Sequence, residues 1–304
     1  MRKGVSPVSL MKSVDRLMNG AVDFHVHAGP DPFRERRLDV IELAHQAKEM
    51  GMKAIVVKCH HLGTAPLVSL VNKMVPGFTL VGSLTLNGGV GGLSPEVVEV
   101  AAKAGAKVIW MPTYSSVVDS RKARKKQEAS ARPAPQKMIP QEISLINESN
   151  NLLPQVISVL EIIKENDMVL GTGHISVEEI YSVTARARKM GIKVTITHPL
   201  NTFFGSPLTM EQQKELVAMG AYIEHTFATC LPDLGGMNPK VITEHIKAVG
   251  EEHCILSTDF GQPTNPAPPE GFRMMVAHML EFGLSEKELQ VLIKDNPSKL
   301  LGLG

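Results

Sequence analysis

One phrase recurs along the 304-residue chain and limits its fold more than any other feature. A helix-like stretch ends in glycine, and a short β-rich run begins about two residues later. KEMGMKAIVVKCHH, AKAGAKVIWMPT, RKMGIKVTITHP and VAMGAYIEHTF all follow it. Gly51, Gly105, Gly191 and Gly220 stand where a helix ends in the left-handed region, which glycine adopts at least cost. The runs that follow (AIVVKC, VIWM, VTIT, YIEHT) are apolar without clean alternation, as parallel strands covered on both faces should be. Helix starts carry the matching chemistry. Ser94-Pro95 and Asn238-Pro239 read as N-cap followed by N1 proline, and Ser176/Glu179, Thr209/Gln212 and Ser285/Glu288 have capping-box spacing.

Strand candidates fall at 21–28, 53–60, 78–86, 106–113, 167–174, 193–198, 221–227 and 254–260, with helix-like segments at 38–50, 64–75, 94–104, 153–165, 176–190, 209–219 and 238–249. Alternating βα units build a parallel sheet through right-handed crossovers, and eight of them predict an α/β fold closed as a (β/α)8 TIM barrel. A doubly wound open sheet is the alternative. The tail 270–304 would supply one or two closing helices, and the whole of 1–304 reads as a single domain. One stretch breaks the rhythm: residues 115–152, after strand four, form a long insertion. Loops of that length are commonly functional, and this one would hang over the carboxyl end of the barrel as a lid. Its basic run Arg121–Lys126 reads as a solvated helix face, and 138–154 as a short hairpin.

Composition removes several classes of function. With 32 Lys+Arg against 31 Asp+Glu, the net charge of +1 gives no field to recruit nucleic acid or an acidic membrane. No apolar run approaches the roughly 18 residues that span a bilayer. The opening MRKGVSPVSLMKSVDRLMNG lacks the apolar core of a signal peptide. Three widely spaced cysteines (Cys59, Cys230, Cys254) suit reduced thiols in the cytoplasm better than a disulfide framework. A small-molecule substrate is the expected partner, and a homo-oligomer is compatible with the apolar content.

The chemistry concentrates at strand ends. In Asp23-Phe24-His25-Val26-His27, the period of two puts Asp23, His25 and His27 on one face, where imidazoles about 7 Å apart can converge on an ion. His60 and His61 end strand two, His174 strand five, His198 strand six and Asp259 strand eight, while Glu224 and His225 lie in strand seven. The carboxyl ends of the strands are where barrel enzymes keep their active sites. Lys58 is in phase with His60 and would point inward, Cys59 would point away, and Arg34, Arg36 and Arg37 could clamp a substrate carboxylate or phosphate. Gly88-Gly89 and Gly91-Gly92 would form a loop able to approach a ligand.

Taken together, these residues resemble the amidohydrolase superfamily of metal-dependent (β/α)8 hydrolases, and the ending DNPSKLLGL is similar to that superfamily's last helix. DFHVHAGPD with VGGLSPEVVEVAAKAGAKVIWMPT looks like an uncharacterised branch of it. The resemblance implies a divalent metal, zinc first with Mn or Fe as alternatives, as one or two ions. It puts His25, His27 and Asp259 on the first ion, and His174 and His198 on a second ion or on the substrate, or, as in one-metal members, His174 beside those three on a single ion with His198 polarising the substrate. Binuclear members have a bridging carbamylated lysine or a glutamate at the end of strand four, whereas AKVIWMPTY offers neither. Lys58 or Glu224 would have to substitute, or act on substrate with Arg34.

The implied function is hydrolysis of an amide, lactone or ester bond in a small, anionic molecule by metal-bound hydroxide. Asp259 would shuttle the proton while His198 and His60 stabilise the oxyanion. The alternatives are a decarboxylase of the same superfamily, a metal-free lactonase-like enzyme, and a ligand-binding barrel without catalysis.

Overall fold

All eight expected strands form and pair in parallel in sequence order. They are β1 (Val22–Val26), β2 (Ala54–Val57), β3 (Thr79–Thr85), β4 (Ala106–Trp110), β5 (Val169–Gly171), β6 (Lys193–Thr197), β7 (Tyr222–Thr226) and β8 (Cys254–Ser257). The computed structural model describes residues 7–128 and 142–304. Closure joins the first strand to the last. Asp259 N donates to His25 O and His27 N to Phe260 O, each at 2.8 Å, and a parallel bridge links Val26 with Phe260. The fold is therefore a (β/α)8 barrel rather than an open sheet. Most strands end before their expected carboxyl limits, because the residues beyond leave the ladder to become the site.

The helices fall where the sequence places them, and Ser94, Asn238, Ser176 and Thr209 cap theirs as expected. α2 (Val40–Glu49), α3 (Ala65–Met74), α4 (Pro95–Lys103), α6 (Pro154–Glu165), α7 (Val177–Lys189), α8 (Met210–Ala218) and α9 (Pro239–Val249) cover the barrel. The capping boxes Ser176/Glu179, Thr209/Gln212 and Ser285/Glu288 are all made. Each such cap is worth about 1 kcal/mol. The four glycines of the recurring phrase all have positive φ, between 75° and 92°. Two features were not foreseen. An N-terminal helix α1 (Pro7–Met18) buries Val14, Leu17 and Met18, and it is anchored where Glu286 accepts from Ser13 Oγ at 2.7 Å and from Arg16 at 2.9 Å. The tail contains three α-helices rather than one or two: α10 (Pro268–Glu281), α11 (Glu286–Gln290) and α12 (Asn296–Leu301), with a π-turn at Val291–Asp295 before the last.

Inside the barrel, Val22, Phe24, Val56, Val108, Trp110 and Ile255 pack as a separate apolar layer that Leu300 and Leu301 of α12 complete. Trp110 is fully buried. Gly171 makes room for it, since a Cβ there would stand 2.2 Å from the indole. Truncating such a side chain costs about 3–5 kcal/mol. Phe24 belongs to this layer because the β1–β2 register shifts between Asp23 and Val26. The strict alternation assumed for β1 is therefore broken. His25 and His27 converge as expected, but Asp23 turns to the seam and accepts from Thr258 N at 3.0 Å and Thr258 Oγ1 at 2.6 Å.

The insertion after β4 begins with α5 (Val117–Glu128) and ends in a small hairpin, with an antiparallel bridge between Ile146 and Leu152. Part of the expected lid and hairpin, 129–141, lies outside the described residues. The return segment is pinned to α7: Glu179 Oε1 accepts from Leu145 N at 2.7 Å and from Ser144 Oγ at 2.9 Å.

Candidate metal centre and catalytic pocket

At the β1–β8 seam, His25 Nε2 and His27 Nε2 lie 3.2 and 3.1 Å from Asp259 Oδ1. One ligand atom from each residue falls within 4.8 Å of the others, a group that could hold a metal ion. Burial lowers the pKa of both histidines, so they are neutral and offer lone pairs. His25 is oriented from behind: its Nδ1 meets Glu224 Oε1 at 3.1 Å in a fully buried contact. A carboxylate on the far nitrogen fixes which ring nitrogen faces the ion, as metal-binding histidines usually require. Lys58 approaches from β2, with Nζ 3.1 Å from His25 Nε2 and 5.0 Å from the Trp110 ring centroid. Burial lowers the Lys58 pKa and raises that of Glu224.

The opposite side of the pocket is built differently. His174 Nε2 and His198 Nε2 stand 3.0 Å apart. His174 Nδ1 meets Asp119 Oδ2 at 2.5 Å, and Asp119 Oδ1 accepts from Gly205 N at 2.8 Å. With its Nδ1 proton held by Asp119, His174 presents a bare Nε2, which makes His198 Nε2 the donor in the contact between them. His60 is fixed by a second chain. Asn87 Nδ2 donates to Thr113 Oγ1 at 2.8 Å, and Thr113 Oγ1 lies 2.8 Å from His60 Nδ1. Thr113 Oγ1, already accepting from Asn87, has its own proton to give, and His60 Nδ1 is the acceptor within reach, an arrangement that puts the His60 N–H at Nε2.

Backbone strain marks the same place. His198 and Asp259 have φ of 31° and 57°, values uncommon for residues other than glycine. Next to Asp259, a Cβ at Gly261 would stand 1.9 Å from His27 O, so only glycine lets this turn lie against the histidine strand.

Of the residues singled out in the sequence, Lys58, His27, His60, His174, His198 and Asp259 surround one small cavity of about 70 Å³, with Arg34 at its rim. His25 lies beneath them. Glu224 does not line the cavity: it sits behind His25, so the expected direct contact with substrate is replaced by a supporting one. Arg36 is taken by Asp31 at 2.6 Å, and Arg37 reaches Pro263 O at 3.4 Å. Cys59 points away, towards Asp31. The glycine loop is used internally, with Gly88 N donating to Ser115 Oγ at 3.0 Å. Sequence reasoning missed Asp119, Asn87 and Thr113. A carboxylate one turn into a basic helix was the sole available hint, and only for Asp119.

The profile of a family of unknown function, DUF6282, matches residues 20–224. No curated protein matches the sequence. Among solved structures, an amidohydrolase from Pseudomonas aeruginosa is 14% identical with a TM-score of 0.62, covering 98% of each chain. An assigned 2-pyrone-4,6-dicarboxylic acid hydrolase from Pseudomonas putida is 16% identical with a TM-score of 0.58, over 93% of this chain and 97% of that one. A 2,6-dihydroxybenzoate decarboxylase from Rhizobium is 10% identical with a TM-score of 0.54, over 94% and 99%. The resemblance to the amidohydrolase superfamily is thus borne out in the fold, and these neighbours include hydrolases and a decarboxylase.

Proposed function

The chain belongs to the DUF6282 family, and we propose that it is a metal-dependent hydrolase of the amidohydrolase type, cleaving an amide, lactone or ester bond in a small anionic molecule. The observation that carries this reading is the convergence of His25 Nε2 and His27 Nε2 on Asp259, with Glu224 fixing the His25 ring. Two neutral imidazoles and a carboxylate suit zinc, with Mn or Fe as alternatives. A divalent ion held there supplies Lewis acidity and lowers the pKa of water.

The chain's own residues do the rest. Asp259 Oδ1, 13% exposed as a side chain and facing both histidines, takes up a proton from the attacking water and returns it to the leaving group. His60, with its proton at Nε2, donates to the oxygen that becomes negative as the carbonyl turns tetrahedral, and His198 Nε2 joins it when that oxygen replaces His174 Nε2 as the acceptor of its proton. Until then His174 keeps the His198 proton at Nε2. Lys58 adds a third donor on the β2 side. The cavity of about 70 Å³ admits the reacting group and little water besides. α5 brings Asp119 to this site, so the insertion contributes to catalysis as well as to cover.

One observation favours a second reading, decarboxylation. The end of β4 runs Met111-Pro112-Thr113, with no lysine or carboxylate to bridge two ions, and a decarboxylase is among the structural neighbours.

The test is metal content by elemental analysis of protein purified without added metal or chelator, with turnover screening in ¹⁸O-water. About one equivalent per wild-type chain, lost in His25→Ala/His27→Ala, is expected. Incorporation of ¹⁸O into product supports hydrolysis, and carbon dioxide release without it supports the second reading. Metal-free wild-type protein that Zn and Mn fail to activate would overturn both.

A further inference from the structure

Beyond the small cavity lies a larger chamber of about 280 Å³, walled by Tyr114, Phe203, Phe204, Ala123 and the stems of Lys122 and Lys126. The two spaces share Arg34, Tyr114 and Phe204 as walls, so they adjoin. Their linings differ in balance. Histidines, Lys58 and Asp259 dominate the inner cavity beyond the shared walls, whereas the outer one adds Phe203, Ala123 and two lysines, with the Asp119 carboxylate, already bonded to His174 and Gly205 N, at its inner side. Phe203 is 49% exposed, so one side of its ring is open to a ligand in the chamber.

The cations around this junction are not equivalent. Arg36 is neutralised by Asp31. Lys122 is spent on the loop after β6, donating to Gly205 O at 2.7 Å, Thr202 O at 3.3 Å and Phe203 O at 3.4 Å. Arg34 is different: its guanidinium lies 4.9 Å from the Tyr114 ring centroid, and no salt bridge is made by it among the described residues. Stacking on tyrosine restrains the planar fork without satisfying its donors, which leaves it ready for a bidentate anion. Burial raises the Tyr114 pKa, so the ring beneath is a neutral phenol.

We propose that the outer chamber is a substrate subsite for a flat ring bearing a carboxylate, with Arg34 as its anion anchor and Phe203 and Tyr114 as the ring's walls. This deepens the reading of the site as an enzyme for small anionic molecules and rests on it for the identity of the bound species as substrate. The division of volume sets the orientation: the reacting bond enters the inner cavity while the ring stays outside. Lys126, which also lines the chamber, adds a second positive charge for a doubly anionic ring acid.

The experiment is titration calorimetry on the full-length protein with three probes: benzoate, which has ring and charge, acetate, which has charge alone, and benzamide, which has ring alone. Benzoate is expected to bind at least about tenfold more tightly than either of the others. Arg34→Gln should weaken benzoate about tenfold and leave benzamide unchanged, whereas Phe203→Ala should weaken both ring probes and spare acetate. Both side chains are exposed, so these variants keep the fold. Benzoate that binds no better than acetate, or equally well to Arg34→Gln, or not saturably up to about 10 mM, overturns the subsite. The same titration on His25→Ala/His27→Ala separates the two readings. Retained binding supports the subsite, and loss confined to that variant shows the carboxylate sitting on the metal centre and overturns it. Metal content, measured without any probe, decides the enzymatic reading independently.

Discussion

The two sides of the pocket use the same device for opposite ends. In each, a buried carboxylate holds the Nδ1 of a histidine, Glu224 for His25 and Asp119 for His174. On the β1–β8 side the free Nε2 atoms of His25 and His27 face an anion, Asp259. On the β5–β6 side the free Nε2 of His174 faces another imidazole, 3.0 Å away. The first arrangement gathers lone pairs and negative charge, which a divalent cation completes. The second places a donor, because His198 Nε2 points its proton at the bare Nε2 of His174. On the reading proposed above, two histidine pairs of similar burial would divide the labour of holding an electrophile and donating to an oxyanion, with the partner beyond Nε2 deciding which.

Variants can break this division, and the largest effect is expected at its charged centre. Asp259→Asn keeps the shape but removes both the negative charge and the proton acceptor. Turnover on a substrate found by screening should fall by about 10²–10⁴-fold, read as kcat. Asp119→Asn tests the proton-donating side. Gly205 N holds the amide oxygen, so the NH₂ faces His174 Nδ1 and favours the opposite tautomer, with the proton on Nε2. We expect kcat to fall about 10–100-fold with metal content unchanged, which separates it from damage to the other side. Glu224→Gln is the mirror experiment: metal affinity should weaken about tenfold in a competition titration with a chelator, while the His174–His198 side is untouched.

The smallest functional effect is expected at His225, a histidine of neither side. It is buried on β7 with both ring nitrogens unpartnered, and burial, with a smaller contribution from His245, lowers its pKa from 6.5 to about 3. The folded state therefore refuses a proton that the unfolded chain accepts, and stability is lost as the pH falls below 6.5, levelling off near 3. Wild type should lose about 2 kcal/mol more than His225→Leu between pH 7 and pH 5 in urea melts, with turnover at pH 7 equal in the two. A variant as acid-sensitive as wild type would remove His225 from this account.

How much of this could be read in the sequence depended on distance along the chain. Signals carried by a few neighbouring residues were legible: glycine after helix, serine or threonine three before an acid or amide, histidines two apart. They located the eight strands, most of the helices and the residues His25, His27, His60, His174, His198 and Asp259. Signals that act across the chain were not. Asp119 meets His174 from 55 positions away, announced only by its place in the first turn of a basic helix, and Asn87 organises Thr113 from 26 away with nothing local to announce it. Glu224 could be placed on β7, but whether it stood in the cavity or behind a histidine depends on how deep His25 lies. Phe24 shows the limit of periodicity, since a register shift of β1 turned it inward and sent Asp23 to the seam.

The seam itself has a consequence for how this protein comes into being. Asp23 and Thr258, which bond across it, are separated by 235 positions, and His25 and Asp259 face each other at the same junction. Bringing such distant segments together costs about 5 kcal/mol in loop closure, and until it happens His25 and His27 lack their anionic partner. The proposed ion-binding group of His25, His27 and Asp259 is thus incomplete in any chain still emerging from the ribosome with its last strand unmade. An ion offered during refolding should leave the rate of assembly unchanged and act afterwards as a latch, slowing the reopening of a barrel that has already closed.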